Sequence, residues 1–325
     1  MKSLSYPSTD PHLNMAMDEF VLEGLRLDEP VFVLWQNAPS VIIGLSQNAF
    51  AEVNLPYLEE HGIALARRVT GGGAVYHDLG NLNYTIAGRS RDLERDYPAY
   101  VTMVADALRR LGVPAEVSGR NDILVEGRKC SGYAKRVWKD RLMIHGTLMY
   151  DVDLEVLTSA LAVPGSKLSS AGVTSVRSRV ANLKEFLPGL PDIGAFRAAL
   201  GEILSCGDGP ITLTAGQLDA VRRDADEKFR TWEWIYGRSP RGEFSVRKKF
   251  ACGTVEATFS VDHGLIRGLS FGGDYLGNMP ADGLASRLEG VRADRESLTK
   301  ACEGCERYFD GMSPEDLAGL INNRL

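Results

Sequence analysis

The sequence predicts an α+β protein of two domains, a large one over residues 1–238 and a small one over residues 244–325. Its length of 325 residues allows one large or two ordinary domains. Short strand-like runs and amphipathic helical segments follow one another through both parts. Between them the polar segment GRSPRG, residues 237–242, separates the aromatic run TWEWIY from a new set of strands. Such a glycine-containing polar joint is typical of a domain boundary.

The large domain is predicted to begin with an N-capped amphipathic helix at residues 12–25, because Asp10 and Pro11 precede its spaced apolar residues. Runs of strand-forming residues predict strands at 31–36, 41–46, 62–69, 74–76, 83–86 and 142–151. Residues 122–132 form a predicted hairpin that turns at Glu126-Gly127. Further helices are predicted at 97–111, 193–204 and 214–229.

The small domain is predicted as a strand meander followed by helices. Three short strands are expected over residues 244–271, around the turn Asp262-His263-Gly264. Helices follow at 281–288, at 295–301 and from Pro314. Cys302 and Cys305 form a CxxC pair without a second ligand pair nearby, so we interpret them as structural or incidental, with redox activity as the alternative.

Composition indicates a cytoplasmic globular protein. Hydrophobic residues make up 44% and charged residues 25% of the chain. Apolar runs stay well short of a membrane span, and the N-terminus lacks the layout of a signal peptide, so neither a membrane nor a secretory role is expected. The net charge of −6 gives no support to nucleic-acid binding. Five scattered cysteines argue against a disulfide framework.

The most informative segment is RRVTGGGAVYHDLGNLNYTI, residues 67–86. Its three consecutive glycines remove every Cβ from one turn of backbone, so a ligand can lie directly against N–H groups. The flanking arginines Arg67 and Arg68 suit a carboxylate or a phosphate. The segment therefore predicts an anion-accepting pocket; the alternative is a flexible hairpin turn.

Four further elements are candidates for the same pocket. Asp122 is a candidate Mg²⁺ ligand and Asn121 a polar contact, the alternative being a turn cap. Lys129 in GRKCSG is placed to touch carboxylate and phosphate oxygens, unless it is an ordinary surface lysine. His145 follows on the next strand, where the alternative is a core histidine bonded to backbone. The loop at residues 172–179 carries hydroxyls and two arginines and suits a lid over a nucleotide, against a solvated linker.

These motifs resemble the lipoate–protein ligases, in the long bacterial form with a C-terminal accessory domain, of the biotin/lipoate ligase superfamily. The resemblance rests on segments in the expected order over the first 185 residues, namely 34–48, 67–86, 119–132, 145–154 and 174–183, and on the TWEWIYG junction. It implies a large mixed-sheet catalytic domain of the biotin/lipoate ligase type.

The resemblance also implies a reaction: lipoate and ATP give lipoyl-AMP, and the lipoyl group passes to a lysine of a lipoyl domain. Lys129 is the implied catalytic residue, and Asp122 the implied Mg²⁺ ligand. The implied lipoate and ATP contacts are Arg68, Thr70, Gly71, Gly72, Gly73, Ala74, Val75, Tyr76, His77, Asn81, Asn121, Lys129, His145, Gly172, Thr174, Ser175, Val176 and Arg177. In this assignment His77 binds and is not a catalytic base.

The implied partners are lipoic acid and the lipoyl domains of 2-oxoacid dehydrogenase E2 subunits and of the glycine cleavage H protein. The choice between lipoate and octanoate stays open, and a monomer is expected. One alternative is an octanoyl or lipoyl transferase of the same fold that acts without ATP, several of which use a cysteine nucleophile. The other is a non-catalytic lipoate-binding module. The presence of Lys129, Asp122 and the 174–179 loop speaks against the binding module. The lack of a cysteine shortly after HGTLMYD, with the GRK motif and an accessory domain present, favours the ligase over the transferase.

Overall fold

The computed structural model describes residues 1–119, 121–161, 179–205 and 209–322. Within them the strands are β1 (Lys2–Leu4), β2 (Val31–Trp35), β3 (Ser40–Ile43), β4 (Ala64–Arg67), β5 (Val75–His77), β6 (Asn81–Arg89), β7 (Ala115–Ser118), β8 (Asp122–Val125), β9 (Arg128–Trp138), β10 (Arg141–Met149), β11 (Pro210–Ile211), β12 (Gly242–Phe250), β13 (Gly253–Asp262) and β14 (Leu265–Tyr275).

The α-helices of the same residues are α1 (Pro11–Glu23), α2 (Ala49–Glu52), α3 (Leu55–Glu60), α4 (Leu93–Arg110), α5 (Leu154–Ala160), α6 (Ile193–Ser205), α7 (Ala215–Asp224), α8 (Trp232–Ile235), α9 (Asp282–Leu288), α10 (Arg295–Ala301) and α11 (Pro314–Asn322). A π-helical turn, Ala225–Phe229, continues α7, and 3₁₀ turns lie at Leu183–Phe186 and Cys305–Arg307.

The chain forms two compact units. The first contains the described parts of residues 1–45, 63–159 and 168–231, and the second those of 46–62, 160–167 and 232–325. The second unit thus includes the segment 46–62, which the sequence analysis assigned to the large domain. Hydrogen bonds within that unit explain the grouping, since Asn48 Nδ2 donates to Pro240 O at 2.7 Å and Ala49 N donates to Ser239 Oγ at 3.1 Å. The domain limits at 238 and 244 stay a prediction.

The first unit is built on an eight-stranded sheet with the strand order β11-β1-β2-β6-β10-β9-β8-β7. The strand β1 pairs in parallel with β2 and β11, whereas the pairs from β2 through β7 are antiparallel. A three-stranded sheet, β4-β3-β5, belongs to the same unit. The predicted α+β class with a large mixed sheet is confirmed.

The central strand β6 divides polar from apolar residues by strict alternation. Leu82, Tyr84 and Ile86 belong to the main apolar core, while Asn81, Asn83 and Thr85 point to the opposite face. On the apolar face, α4 and α6 cover the sheet and contribute further core residues; the ring of Phe196 stacks on Tyr150 with centroids 5.2 Å apart. Each fully buried side chain of this size stabilises the fold by about 1.5–3 kcal/mol. The polar face of β6, with Asn81, Asn83 and Thr85, is not part of this apolar core.

Helix α1 covers part of that polar face and begins as predicted. Asp10 caps it, accepting from the backbone N–H of His12 at 3.0 Å, and Pro11 occupies the first turn. Its buried residues include the polar pair Asn14 and Asp18, four residues apart and therefore on one side of the helix. This helix contributes hydrogen-bonding groups as well as apolar contacts.

The helix predicted at 97–111 is longer at its N-terminus than expected. Asp92 caps it through Arg95 N at 3.2 Å, so α4 begins at Leu93 and Pro98 lies inside it. A helix that began at residue 97 would have Pro98 in its first turn, where proline is most common. The short elements β1, β7, α2, α3 and α5 had no predicted counterpart, because segments of three to seven residues carry little periodicity.

The second unit contains the antiparallel meander β12-β13-β14 and helices α9 to α11, which confirms the predicted elements. The strands are longer than expected, with 9 to 11 residues each. Cys302 and Cys305 are fully buried, and burial raises the pKa of Cys302 to about 12 and that of Cys305 to about 11. Thiols in this state are unreactive, which supports the structural interpretation of the pair. Among the described helices, none has both the length and the apolar character needed to cross a membrane.

Candidate functional site

Both sheets of the first unit line a cavity. Strands β2, β6, β9 and β10 contribute residues from the large sheet, and β3 and β5 from the small one. The glycine loop, Asn121 and Met15 of α1 also line it. Apolar and aromatic side chains with a few polar groups among them are typical of a small-molecule site.

Nine of the thirteen described binding residues predicted from sequence line this cavity. They are Arg68, Gly72, Gly73, Ala74, Val75, His77, Asn121, Lys129 and His145. Among the described residues, Thr70, Gly71, Tyr76 and Asn81 are not part of the lining. Asn81 stands behind it and donates from Nδ2 to Asn83 Oδ1 at 2.8 Å. Gly172, Thr174, Ser175, Val176 and Arg177 lie outside the described residues.

The glycine loop is shaped by close backbone approaches. Gly72 has a φ of +95°, a conformation that L side chains rarely adopt. A Cβ added to Gly44 would lie only 2.2 Å from the carbonyl oxygen of Gly72. The absence of a side chain at Gly44 therefore allows the loop to pack against the end of β3. A Cβ on Gly73 would meet nothing within 4 Å. The middle glycine is therefore required by conformation, while Gly73 leaves room at the cavity wall.

Arg68 holds this loop from the inside. Its guanidinium donates to the carbonyl oxygens of Ile42 at 3.0 Å, Gly71 at 2.7 Å and Gly73 at 2.8 Å. The side chain is buried, and that burial lowers its pKa to about 10, so it stays charged near neutrality. The structure thus gives Arg68 a role in loop shape, and its contact with an anionic ligand stays a prediction.

Lys129 and Asp122 form an ion pair at the β8–β9 end of the cavity. Lys129 Nζ lies 2.7 Å from Asp122 Oδ1, with both side chains about one-third exposed, 38% and 35%. The backbone of Lys129 pairs with residues 179–181, because its N–H donates to Arg179 O and its carbonyl accepts from Ala181 N. A Cβ on Gly132 would lie 3.1 Å from Lys129 Nζ, so the glycine leaves space for the ammonium group. This is the charged end of the cavity.

His145 is bonded through both ring nitrogens. Its Nδ1 donates to Asp18 Oδ2 at 2.5 Å, and its Nε2 lies 2.6 Å from Thr70 Oγ1. Thr70 in turn accepts from Arg68 Nε at 3.0 Å, which leaves its own hydroxyl hydrogen to be donated to His145. His145 therefore bonds to side chains and not to backbone, and it connects α1 with the glycine loop.

His77 is bonded through one ring nitrogen alone among the described residues. Its Nδ1 lies 3.0 Å from Asn37 Nδ2, whereas its Nε2 is buried without a hydrogen-bond partner there. Burial, together with the nearby charges of Arg68 and His145, lowers the pKa of His77 to about 3. The ring is therefore neutral at physiological pH, which agrees with a binding role and excludes a general base working near neutrality.

Sequence reasoning missed several groups of this site. Asp18, Trp35, Asn37 and Asn83 are all buried, and the indole N–H of Trp35 donates to Thr85 Oγ1 at 2.9 Å. Thr85 donates to Asp18 Oδ1, so these residues belong to one network. The available signal was the pair Asn14 and Asp18, polar residues on the apolar stripe of an amphipathic helix.

Metal-binding capacity at the site is limited. Among the described residues, which leave out 120, 162–178, 206–208 and 323–325, no group of three or more His, Cys, Asp or Glu side chains is placed to hold a metal ion. Asp122 is the carboxylate beside Lys129. Such a donor set fits an ion that is held mainly by substrate phosphates, as Mg²⁺ often is, and does not fit an all-protein cage.

Comparison with known proteins gives two family matches. The model of the lipoyl protein ligase A/B catalytic domain matches residues 10–205, and that of the bacterial lipoate protein ligase C-terminus matches residues 239–321. Lipoate-protein ligase LplJ of Bacillus subtilis is 37% identical over 320 residues, covering 96% of this chain and 97% of that protein. Lipoate–protein ligase 1 of Staphylococcus aureus is also 37% identical over 320 residues, covering 97% of each.

Solved structures agree. A bi-partite lipoate protein ligase, studied with its E2 lipoyl domain from Thermoplasma acidophilum, matches with a TM-score of 0.66 and 32% identity, over 73% of this chain and 96% of that chain. A lipoate-protein ligase A bound with ATP matches with a TM-score of 0.62 and 30% identity, over 73% and 100%. LipL1 of P. falciparum in complex with lipoate matches with a TM-score of 0.60 and 26% identity, over 93% and 94%.

Proposed function

Because this chain belongs to the lipoate–protein ligase family, we propose that it activates lipoate with ATP and transfers the lipoyl group to a lysine of a lipoyl domain. The observation that carries the proposal is one cavity lined by both the glycine loop and the ammonium group of Lys129. The ATP-bound and lipoate-bound relatives support the choice of substrates.

In the first step the lipoate carboxylate attacks the α-phosphorus of ATP, and pyrophosphate leaves, which forms lipoyl-AMP. Negative charge accumulates on the phosphate oxygens in this step, and a cation that is already in place stabilises it. Lys129 supplies that cation, and its pairing with Asp122 at 2.7 Å holds the ammonium group at the cavity. Mg²⁺ would arrive with the nucleotide phosphates, with Asp122 as its protein ligand.

In the second step the amine of an acceptor lysine attacks the acyl carbon of lipoyl-AMP, and AMP leaves. No covalent enzyme intermediate is needed, so the chain's contribution is placement and electrostatics. The acceptors are proposed to be lipoyl domains of 2-oxoacid dehydrogenase E2 subunits and of the glycine cleavage H protein. The relative from Thermoplasma acidophilum, studied with its E2 lipoyl domain, supports this class of acceptor.

A transferase without ATP is less well supported. That reaction needs a cysteine nucleophile in several members of the fold, and the described lining of this cavity contains no cysteine. Cys130, next to Lys129, is fully buried and donates from Sγ to Ile123 O at 3.4 Å. Burial raises its pKa to about 12, so it is a thiol that packs like a small apolar residue.

Lipoate-dependent release of pyrophosphate from Mg-ATP tests the proposal. Substituting Lys129→Ala is expected to lower the rate by roughly 100-fold or more, the usual effect of removing one preorganised stabilising group. The matched control is Lys135→Ala on the same strand, whose exposed ammonium lies 3.9 Å from the Tyr97 ring centroid and not in the cavity.

The control variant should keep the wild-type rate. Full adenylation by the Lys129→Ala variant would remove Lys129 from the mechanism. Acyl transfer without ATP, abolished by a cysteine substitution, would establish the transferase instead.

A further inference from the structure

The hydrogen bonds around His77 determine which ring nitrogen carries the proton. The chain of contacts starts at Asn14, whose Nδ2 lies 3.2 Å from Ser8 O and 2.8 Å from Gln36 O. Two backbone carbonyls can only accept, so the amide group of Asn14 facing them must be its NH₂. The same NH₂ lies 2.8 Å from Asn37 Oδ1, which fixes the oxygen of Asn37 on that side.

The NH₂ of Asn37 therefore faces His77, at 3.0 Å from Nδ1. Since an NH₂ donates, Nδ1 of His77 must accept and carries no hydrogen. The neutral ring then has its proton on Nε2. That Nε2–H is buried at the cavity wall without a partner among the described residues, and the side chain is 3% exposed.

A second buried donor lies nearby. Asn83 Nδ2 also lacks a partner among the described residues, and Asn83 is 1% exposed in the same lining. Trp35 connects the two, because it is the register partner of Asn83 and its ring lies edge-on to His77 with centroids 6.1 Å apart. A buried donor left unbonded costs about 1–3 kcal/mol, so such a pair indicates a ligand atom that accepts.

This donor pair lies away from the charged end of the cavity. Asn83 on β6 is opposite Thr147 on β10, and the hydroxyl of Thr147 accepts from Gly132 N on β9. Because β10 lies between β6 and β9, Asn83 and Gly132 are two strand spacings apart. Lys129 lies three residues from Gly132 along β9. Its ammonium group nevertheless lies beside Gly132, since Nζ is 3.1 Å from where a Cβ on that glycine would be, so about two strand spacings, roughly 10 Å, separate Asn83 from the charged end. Such a cavity suits a ligand with an anionic group at one end and an uncharged acceptor at the other.

We propose that His77 Nε2–H and Asn83 Nδ2 form a neutral donor subsite for the dithiolane sulfur atoms of lipoate, and that Asn37 is a positioning residue that fixes the donor. The inference rests on the proposed function for the identity of the acid. Sulfur is a weak, uncharged acceptor and packs well against aromatic rings such as Trp35. Octanoate has no sulfur and would leave both donors unbonded, so the subsite selects lipoate over octanoate.

Kinetics with the two acids test the subsite. His77→Phe keeps an aromatic ring and removes the donor, so kcat/KM for lipoate should fall about three- to tenfold, the effect of one neutral hydrogen bond. The kcat/KM for octanoate should fall less, since that acid makes no such bond, so the lipoate-to-octanoate ratio of kcat/KM should fall. His61→Phe, an exposed histidine stacked on Tyr57, is the control and should leave the ratio unchanged.

Asn37→Asp tests the positioning role while keeping the shape of the side chain. The carboxylate still accepts from Asn14 but now also accepts from His77 Nδ1, which moves the proton away from Nε2. The lipoate-to-octanoate ratio should fall as it does for His77→Phe. Imidazole ¹⁵N–¹H NMR of the full chain reports the change directly, with the His77 signal among the five histidines identified by its loss in His77→Phe.

The wild-type protein provides a test that does not depend on any variant folding. Its His77 spectrum should be that of the neutral Nε2–H tautomer, and the Nε2 signal should shift on adding lipoate but not octanoate. A wild-type Nδ1–H tautomer would overturn the inference, and so would equal losses for both acids or no loss for either. Failure of the proposed function looks different: wild-type protein would release no pyrophosphate with either acid.

Discussion

Two histidines line the same cavity and are bonded in opposite ways. His145 faces a carboxylate, Asp18, through Nδ1 and a hydroxyl, Thr70, through Nε2, so both of its nitrogens are occupied. His77 faces an amide donor, Asn37, through Nδ1, and its Nε2 has no partner among the described residues. The residue that faces Nδ1 is Asp18 for His145 and Asn37 for His77. A carboxylate accepts and an amide NH₂ donates, so this difference decides which ring nitrogen carries the hydrogen.

The difference separates a framework role from a recognition role. His145 joins α1, through Asp18, to the glycine loop, through Thr70 and Arg68. A ring with both nitrogens bonded inside the protein positions its neighbours. His77 has one nitrogen left for a ligand, and its lowered pKa means that this nitrogen donates without a charge. Substitutions on the two sides should therefore affect different properties, stability for His145 and substrate choice for His77.

The largest stability effect is expected on the framework side. Asp18→Ala would leave two buried donors, His145 Nδ1–H and the hydroxyl of Thr85, without their acceptor. At about 1–3 kcal/mol for each, the free energy of unfolding should fall by about 3–4 kcal/mol. Urea unfolding followed by circular dichroism measures this.

Asp28→Ala is the matched control for that substitution, because the Asp28 side chain is 93% exposed and its ion pair with Arg89 is correspondingly weak. It should change the free energy of unfolding by less than about 0.5 kcal/mol. If Asp18→Ala were no more destabilising than Asp28→Ala, His145 would not have the framework role.

The helix that carries Asp18 was predictable from sequence, whereas its bonded partner was not. The Asp10-Pro11 start and the apolar spacing predicted α1, since both signals are local. His145 lies 127 residues from Asp18 along the chain, and only the pairing of β6 with β10 and the packing of α1 bring them together. A polar residue on an apolar helical stripe shows that a partner exists without showing which one.

The same limit explains why Asn81 was assigned to the binding site and Asn83 was not. Alternation along β6 places both on one face. Which of them reaches the cavity depends on the register with β2 and β10, where Asn83 is opposite Trp35 and Thr147. The glycine loop and Lys129 could be singled out from the sequence because their residue types and spacing are unusual in themselves. Asn37 and Asn83 are common residues made specific by their neighbours.

An intermediate change in the free energy of unfolding is expected when the pH is lowered, because of the buried neutral ring of His77. The folded pKa of His77 is about 3, below the value near 6.5 of an unfolded histidine, so acid favours the unfolded state. The stability that the neutral ring contributes is complete above about pH 6.5 and is lost as pH falls toward 3. At pH 5 the loss from this group should be about 2 kcal/mol.

Urea unfolding at pH 7 and pH 5 tests this with His77→Phe, which should lose about 2 kcal/mol less than the wild type over that interval. The groups that act on His77 electrostatically, Arg68 and His145, are unchanged in the variant. His61→Phe should keep the wild-type pH dependence because His61 is exposed. The same loss for wild type and His77→Phe would mean that His77 titrates normally.

The smallest change in the free energy of unfolding is expected from a substitution in helix α1, which carries residues of both histidine networks. Helix α1 carries both Asn14, which orients Asn37, and Asp18, which holds His145. Asp10→Ala removes the N-cap of that helix and should lower the free energy of unfolding by about 1 kcal/mol, whereas Asp10→Asn retains a capping group and should cost less. The loss is spread over the whole helix, so the imidazole ¹⁵N signals of His77 and His145 should keep their wild-type tautomers. If Asp10→Ala changed the tautomer of only one of the two histidines, Asp10 would support the hydrogen bonds of that histidine specifically, and not helix α1 as a whole.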